Sequence, residues 1–574
     1  MITYNGEYFL VKSSGSPLWK QIKDIAEKSS YPSVYSSNEG IWYIMATKKN
    51  ARALDEIGLE FSPEASGFLE RAPEQVYVPA VYDFSILSKD LFPFQKDGVQ
   101  WLDSPGNKLL GDEMGLGKTV QVAALFRYRP DLLPALVVCP ASLKINWQRE
   151  IESLSGVKAQ IIYGNKPYEI AGLLEKFPVV IINYDILGQE DPEAKKAEAK
   201  RIEEAKKLNR PYKKKTLPVH GWCDTFAVLG FNSIVCDEVQ FIANEKTNRT
   251  RAVNQISKNR NEAKRIFLSG TPYENCTSQF FTCLNLLAPK VFPNRWGFQM
   301  TYCDARKDRW GWHFDGLSNG EQLHKLVKPL MLRRLKADVL KQLPPKQKFI
   351  VPMELNDKSL PDYRNAENAF DTGLKEGKQP SFAGMKIAAY AAKREACIQW
   401  IKDYLETATV KKLVVFFWHK KVLEDLQRAF DEDIRVCLSG ETHQVNRQQA
   451  VDMFQNDSRI QLFFGQLEAS GVGLTLTAAS ACCFVEFGES AGQHSQGEDR
   501  IHRITQESDS VFAYYLIASN TIEEDIMNTL TFRNKNQKMV LDGKTDEKFF
   551  EGGLEDFRAG ILSQYRKRKS LLDS

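Results

Sequence analysis

From Leu91 onward, short apolar runs alternate with longer stretches of helical texture. The runs KLLGD (108–112), ALVVCP (135–140), PVVIINY (178–184), NSIVCD (232–237) and RIFLSG (265–270) carry no polar alternation that would mark one face as solvent-exposed. Strands apolar on both faces and separated by helices predict a parallel sheet covered on each side. The same texture returns in KLVVFFW (412–418), RVCLS (435–439), IQLFFG (460–465), CCFVEF (482–487) and FAYYLI (512–517). The expected fold class is therefore α/β, with two doubly wound parallel-sheet lobes.

The stretch before Leu91 reads differently, as a small α+β module. GEYFLV (6–11) has strand character, and Ser16-Pro17 suits a helix start, since serine caps orphan amides and proline fits the first helical position. Leu18, Ile22 and Ile25 then share one helix face. A hairpin is expected at Ser36–Gly40 between VYS and IWYIM, and a short helix over Asn50–Gly58. Pro73 and Pro79 mark 71–88 as a linker. Between the lobes, Leu286–Asp403 is richer in helical pattern and is broken at Leu343-Pro344-Pro345. The expected division is a module at 1–80, a first lobe at 81–335 carrying a charged insert at 190–222 and a helical protrusion, a helical insert and connection at 336–403, a second lobe at 404–535, and a helical, basic tail at 536–574.

Charge adds little globally. The 574 residues carry a net charge of +4, with 43% hydrophobic and 26% charged residues, which places the chain among multi-domain globular proteins and leaves any nucleic-acid contact to local patches. Locally, DPEAKKAEAKRIEEAKKLNRPYKKK (191–215) reads as a solvated helical protrusion; a DNA-backbone contact and a nuclear address are the sharper alternatives. The basic run Arg566–Lys569 has the same bland reading. Ten cysteines include no C-x-x-C pair, which argues against zinc and for reduced thiols in a cytosol-like compartment. No apolar run reaches the length of a membrane helix, and MITYNGEYFL lacks a basic signal region.

Three distant segments carry the candidate chemistry. In GDEMGLGKT (111–119) a glycine-rich turn follows an apolar strand and opens a helix, so backbone amides and a helix N-terminus converge on one point suited to phosphate. Lys118 would reach the β- and γ-phosphates and the Thr119 hydroxyl would coordinate magnesium, with Gly115 and Gly117 shaping the turn. Asp112 stands where the strict phosphate-loop pattern has glycine. Asp237-Glu238 emerges at the carboxyl edge of a strand, where open α/β sheets place ligands; Asp237 would hold the metal and Glu238 polarise the attacking water. Leu268–Pro272 (LSGTP) ends another strand of the same lobe and offers hydroxyls and a tight turn that could sense phosphate state. Arg500 and Arg503, three apart in SQGEDRIHRITQ, would share one side of a helix and stabilise charge developing in phosphoryl transfer.

Taken with LFPFQKDGVQWL (91–102), VVCPASLKINWQREI (137–151), LSGTPYEN (268–275), LMLRRLKADVLKQLPPK (330–346) and GVGLTLTAA (471–479), these segments resemble the helicase-like DNA translocases of superfamily two, specifically the Swi/Snf-type remodelling ATPases. The resemblance runs from about Leu91 to Asn528. It implies two RecA-like lobes and an ATPase site of Lys118, Thr119, Asp237, Glu238, Arg500 and Arg503 using ATP and Mg2+, with Gln95 against adenine and Asp112 as the family's own residue in the loop. It also implies that Ser142, Trp147, Trp418, Gly440 and Thr475 track a DNA backbone through salt-dependent phosphate contacts. This chain departs from the family in reading DEVQ where histidine is usual last, in Phe92, in the lack of a tryptophan-asparagine-proline turn within 489–495, and in Thr505.

The stretch RRLKADVLKQLPPK looks most like the annealing-helicase branch, and the amino-terminal module resembles its HepA-related domain. The implied activity is a DNA-stimulated ATPase that translocates on double-stranded or branched DNA and rewinds strands, remodels forks or displaces a bound protein or polymerase. A strand-separating DNA or RNA helicase and an ATP-gated DNA-binding scaffold are the alternatives. A monomer is expected, cytoplasmic in a prokaryotic or viral setting and nuclear in a eukaryotic one.

Overall fold

The computed structural model describes residues 2–70 and 82–543, apart from short stretches at 6–7, 13–17, 30–32, 37–38, 170–171, 209, 211, 213–215, 309–310, 377–380, 443, 468–473, 489 and 504. The Ser16-Pro17 helix start, the proline-marked part of the linker and the Arg566–Lys569 run lie outside these residues.

Two parallel sheets dominate. In the first, seven strands run in the order Met331–Leu332, Lys108–Leu110, Lys264–Leu268, Ser233–Asp237, Ala135–Cys139, Val179–Asn183, Ala159–Ile161. Alternation along each strand feeds two cores. Leu136, Val138, Val180 and Ile182 enter one, while Ala135, Val137, Val179 and Ile181 enter the other. This is why the strands read as unbroken apolar runs: the period-two pattern is present, but both of its phases are dry. The second sheet holds six strands in the order Lys346–Met353, Val511–Ala518, Ala481–Phe484, Leu413–Phe417, Leu462–Gln466, Arg435–Leu438, again all parallel and again with one core on each face. The α/β class with two doubly wound lobes therefore stands as expected.

The amino-terminal module is a four-stranded antiparallel sheet, Ile2–Tyr4, Tyr8–Lys12, Ile41–Met45, Val34–Ser36. Helices Trp19–Lys28, Lys48–Glu56 and Pro63–Glu70 accompany it, and Phe9, Ile22, Ile44 and Leu54 form a separate core. It meets the first lobe where the Tyr8 hydroxyl donates to the Lys290 carbonyl. The charged insert holds a helix over Pro192–Lys207, N-capped by Asp191.

Two expected boundaries move. The region 336–403 is not a helical insert outside the second lobe. Its strand Lys346–Met353 pairs with Val511–Ala518 over its whole length, and Tyr390, Cys397 and Ile401 from the helix Ala383–Thr407 belong to that lobe's core. KQKFIVPM was missed because it is an edge strand with mostly exposed side chains, so it lacks the doubly dry signature of its neighbours. A break at 535 also fails, since one helix runs Ile522–Asp542. Thr521 accepts from the Glu523 amide at its start, and Gly543, at φ +66°, ends it. Ile522, Ile526 and Leu530 pack in the second lobe's core, and Val540 and Leu541 in the first lobe's. At 1.5 Å per residue the helix spans about 30 Å, and it acts as a strut between the lobes. Among the described residues no helix is long and apolar enough to cross a membrane.

Candidate ATPase site at the lobe interface

Three adjacent strands of the first sheet each end in one part of the site. Lys108–Leu110 leads into the phosphate loop, Lys264–Leu268 into Ser269–Thr271, and Ser233–Asp237 into Glu238. Their adjacency comes from sheet order alone, across more than a hundred residues of chain. In the loop, Gly115 and Gly117 take φ +84° and +73°, and a Cβ on Gly117 would lie 2.5 Å from the Gln95 Nε2. Only glycine fits there. Lys118 Nζ donates to the Asp112 carbonyl at 2.8 Å, folding its ammonium back over the loop, and Lys118 begins the helix that carries Thr119. Gln95 itself is buried, its Nε2 donating to the Leu116 carbonyl at 3.2 Å. Asp112 turns its carboxylate to Arg334 and Gln121: it is fully buried, receives Arg334 Nε at 2.8 Å and a second bond from Arg334 Nη2, and accepts from Gln121 at 3.1 Å. Its side chain thus braces the loop.

Asp237 and Glu238 are both buried. Glu238 adopts φ +51°, a left-handed conformation that costs a non-glycine residue free energy. Asp237 accepts from Trp147 Nε1 at 2.8 Å and from the Glu238 amide at 2.9 Å. Burial and the neighbouring Glu238 nonetheless push its carboxyl up to about 7, against the pull of Trp147 and Lys118. Two buried acids short of positive charge beside a phosphate cradle fit a divalent cation. Glu238 passes a contact onward: Gln240 Nε2 donates to it at 2.8 Å, Ser269 Oγ donates to Gln240 Oε1 at 2.6 Å, and the Thr271 amide donates to Ser269 Oγ at 3.0 Å. Gln240, the departure from the usual histidine, is thus an amide relay that does not titrate.

The second lobe reaches this surface. A Cβ on Gly492 would lie 3.4 Å from Thr271 Oγ1, a buried hydroxyl with no partner among the described residues. Arg500 is buried; burial and Arg503 pull its guanidinium down to about 9, while Glu238 and Asp499 act the other way. The expected single helix carrying both arginines is not present. The helix Ala491–Glu498 ends before them, and Arg500 and Arg503 follow in turns. Arg503 Nε takes the Asp499 carbonyl at 3.2 Å, the acceptor a continuing helix would need for a backbone amide. Its Nη1 holds Thr475 Oγ1 at 2.7 Å, and Arg500 Nη1 holds the Leu474 carbonyl at 3.4 Å.

A profile for SNF2-related domains matches residues 94–400, more than half of the chain, and one for the helicase conserved C-terminal domain matches 393–505. The chain belongs to the SNF2-related family. This SNF2-related protein is 31% identical over 458 residues to a SWI/SNF-related matrix-associated actin-dependent regulator of chromatin subfamily A-like protein 1 homolog of Caenorhabditis elegans, covering 78% of this chain and 61% of that relative. It is 30% identical over 477 residues to the DNA annealing helicase and endonuclease ZRANB3 of Homo sapiens, covering 80% and 40%. The chain thus spans about two fifths to three fifths of these relatives' length. A Sulfolobus solfataricus SWI2/SNF2 ATPase core in complex with dsDNA aligns over 80% of this chain and 94% of its own, at 20% identity and a TM-score of 0.35, too loose a superposition to bear on how the lobes are set. The family is one of helicase-like, nucleotide-binding ATPases.

Of the five residues expected along DNA, one is ruled out by its burial. Trp147 is fully buried in the first lobe's core and orients Asp237, so it cannot touch a DNA backbone. A tryptophan in a loop-to-helix segment carries no mark in the sequence of which way its indole points. Ser142 and Gly440 are exposed, Trp418 is half-buried with Lys386 Nζ 4.9 Å from its ring centre, and Thr475 is engaged by Arg503. Motif reading also gave no role to Arg333, Arg334 and Lys336. The strand Met331–Leu332 runs beside the phosphate-loop strand, and Arg333 Nη1 donates to both the Gly111 and Gly270 carbonyls at 2.9 Å while its Nε pairs with Asp542 of the strut. The available signal was RRLK itself, four residues with three cations just before a proline break.

Proposed function

We propose that this SNF2-related protein is an ATP-driven translocase on double-stranded DNA, whose lobes close on nucleotide and whose cycling rewinds strands, remodels forks or displaces bound protein. The observation that carries the reading is the meeting of the two lobes beside the acid pair: Gly492, in the helix that leads to Arg500, comes up against Thr271, a Cβ there lying 3.4 Å from Thr271 Oγ1, at the end of the strand paired with Ser233–Asp237.

Lys118 and the loop amides would bind the terminal phosphates. Thr119 and Asp237 would hold Mg2+, which neutralises phosphate charge when bound. Glu238 would accept a proton from the attacking water, with Gln240 fixing its carboxylate. Arg500 and Arg503 would meet the charge that develops on the transferred group. The relatives' names, a chromatin regulator and a DNA annealing helicase, support DNA as the partner, and the exposed Ser142 and Gly440 remain available to its backbone.

Phosphate release with and without duplex DNA tests the assignment. Stimulation by duplex, together with loss of turnover in Glu238→Gln, is expected; a Glu238→Gln protein hydrolysing at the parental rate rejects it. Triplex displacement without unwinding of a forked substrate is the expected mode, and unwinding of the fork would replace translocation by strand separation.

A further inference from the structure

We propose that Lys336 is a positioning residue that sets the arginine turn on the phosphate loop, an inference that rests on the site reading above. Lys336 lies in the segment between the last strand of the first sheet and the edge strand of the second, and touches both halves of the site. Its backbone amide donates to Glu113 Oε2 of the phosphate loop at 2.7 Å. A Cβ on Gly115 would lie 3.3 Å from its Cε and 3.5 Å from its Nζ, so the side chain runs across the loop's backbone. That same Nζ donates to the His502 carbonyl at 2.9 Å and pairs with Asp499 Oδ1 at 3.0 Å. Its ammonium therefore holds residues on either side of Arg500, and one of them directly precedes Arg503. Apolar contact backs the polar one, because Leu340, one turn on, packs with Leu116 of the loop and Phe94.

A bridge needed only to satisfy Asp499 would be redundant. Asp499 already has Lys346 Nζ at 3.1 Å, and a buried ammonium carries a desolvation cost that simple pairing seldom recovers. Lys336 is almost wholly buried, and burial holds its ammonium below the usual lysine range even with Asp499 beside it. What Lys346 does not supply is reach to the loop. Lys336 is the member of this pair whose side chain lies over Gly115, so a shift of the loop against the arginine turn must pass through it.

Lys336→Met tests this with little damage to the fold, because Asp499 keeps Lys346 and Glu113 keeps the residue-336 amide. Steady-state hydrolysis, equilibrium binding of a fluorescent ADP and thermal melting are measured in the full chain for K336M, K336R, R503A and the K336M/R503A double variant. K336M should lose about 10- to 100-fold in kcat, the scale of a misplaced catalytic group, with the nucleotide Kd changed less than about twofold on the same scale. K336R should recover most of the rate. In the R503A background K336M should cost less than it does in the parent, since a residue acting through the arginine turn is not additive with it.

A K336M protein hydrolysing within about twofold of the parent, or losing nucleotide binding and kcat together, overturns the proposal, as does full additivity with R503A. If K336M melts too low to assay, K336R decides: a rate near the parental one supports the bridge, and a rate as low as R503A's rejects it. Glu238→Gln separates the two readings. Should it hydrolyse normally, the site assignment falls; should it be dead while K336M is unaffected, only the role of Lys336 falls.

Discussion

Two adjacent acidic pairs face the lobe interface, both nearly inaccessible to water, and their fates are opposite. At Asp237-Glu238, burial and mutual repulsion push Asp237 up to about 7. At Glu498-Asp499, burial raises the carboxyls too, but lysines more than offset it: Lys346 and Lys348 hold Glu498 down at about 2, and Lys336 and Lys346 hold Asp499 well below the usual range. The second pair is saturated, with Lys346 Nζ 2.9 Å and Lys348 Nζ 2.7 Å from Glu498 and the Tyr515 hydroxyl donating at 2.5 Å. The first has Trp147, backbone and a glutamine, with Lys118 turned onto a carbonyl. Burial is common to both pairs; the number of facing cations separates an acid pair that ties strands together from one left short of charge.

The comparison breaks most severely if the deficient pair has no chemical task. Glu238→Gln should lower hydrolysis about 10²- to 10⁴-fold, the range for removing a general base, as measured by phosphate release with saturating duplex DNA. Next in size, Lys346→Met removes a cation from the saturated pair and should destabilise the fold by about 3 kcal/mol in urea titration, the low end for a broken buried pair because Lys348 and Lys336 remain. An unchanged midpoint would mean that the second pair is no tie.

The pairs should also respond to pH with opposite signs. Asp237 is raised above its ordinary 3.8, so between about 4 and 7 the folded state holds more protons than the unfolded one, and this contribution is lost as pH rises through that window. Glu498 is lowered from 4.5, so its contribution is present above about 4.5 and lost as pH falls toward 2. In Glu238→Gln, with one like charge gone, the slope of stability against pH near neutrality should flatten by roughly 1 kcal/mol across the window, read from urea midpoints at a series of pH values. An unaltered slope would show that Asp237 is not the titrating group. The smallest effect expected is that of Ser269→Ala, which cuts the Gln240 relay at one hydroxyl and should cost roughly 1 kcal/mol of barrier, a several-fold drop in kcat; Gln240→Ala should be no more than additive with it.

Much of this architecture was legible because its signals are local. Strands dry on both faces announce themselves over five residues, as at Ala135–Cys139, and the phosphate loop declares itself by strand, glycines, lysine and helix in one stretch. Lys346–Met353 escaped because an edge strand is half wet. The helix over 522–542 was cut because its two ends serve different cores. The family resemblance puts Trp147 along DNA, but nothing in a sequence states which way an indole points; the structure turns it onto Asp237.

The class of fold, the phosphate loop and the family could be read from the chain alone, since these depend on period-two burial and on short motifs whose residues act near one another along the chain. It took the folded chain to show that Glu498-Asp499 is neutralised and Asp237-Glu238 is not, and that Lys336 spans both halves of the site. Each of these depends on charges brought together from more than a hundred residues apart. Electrostatic energy falls with distance in space, and distance along the chain does not enter it.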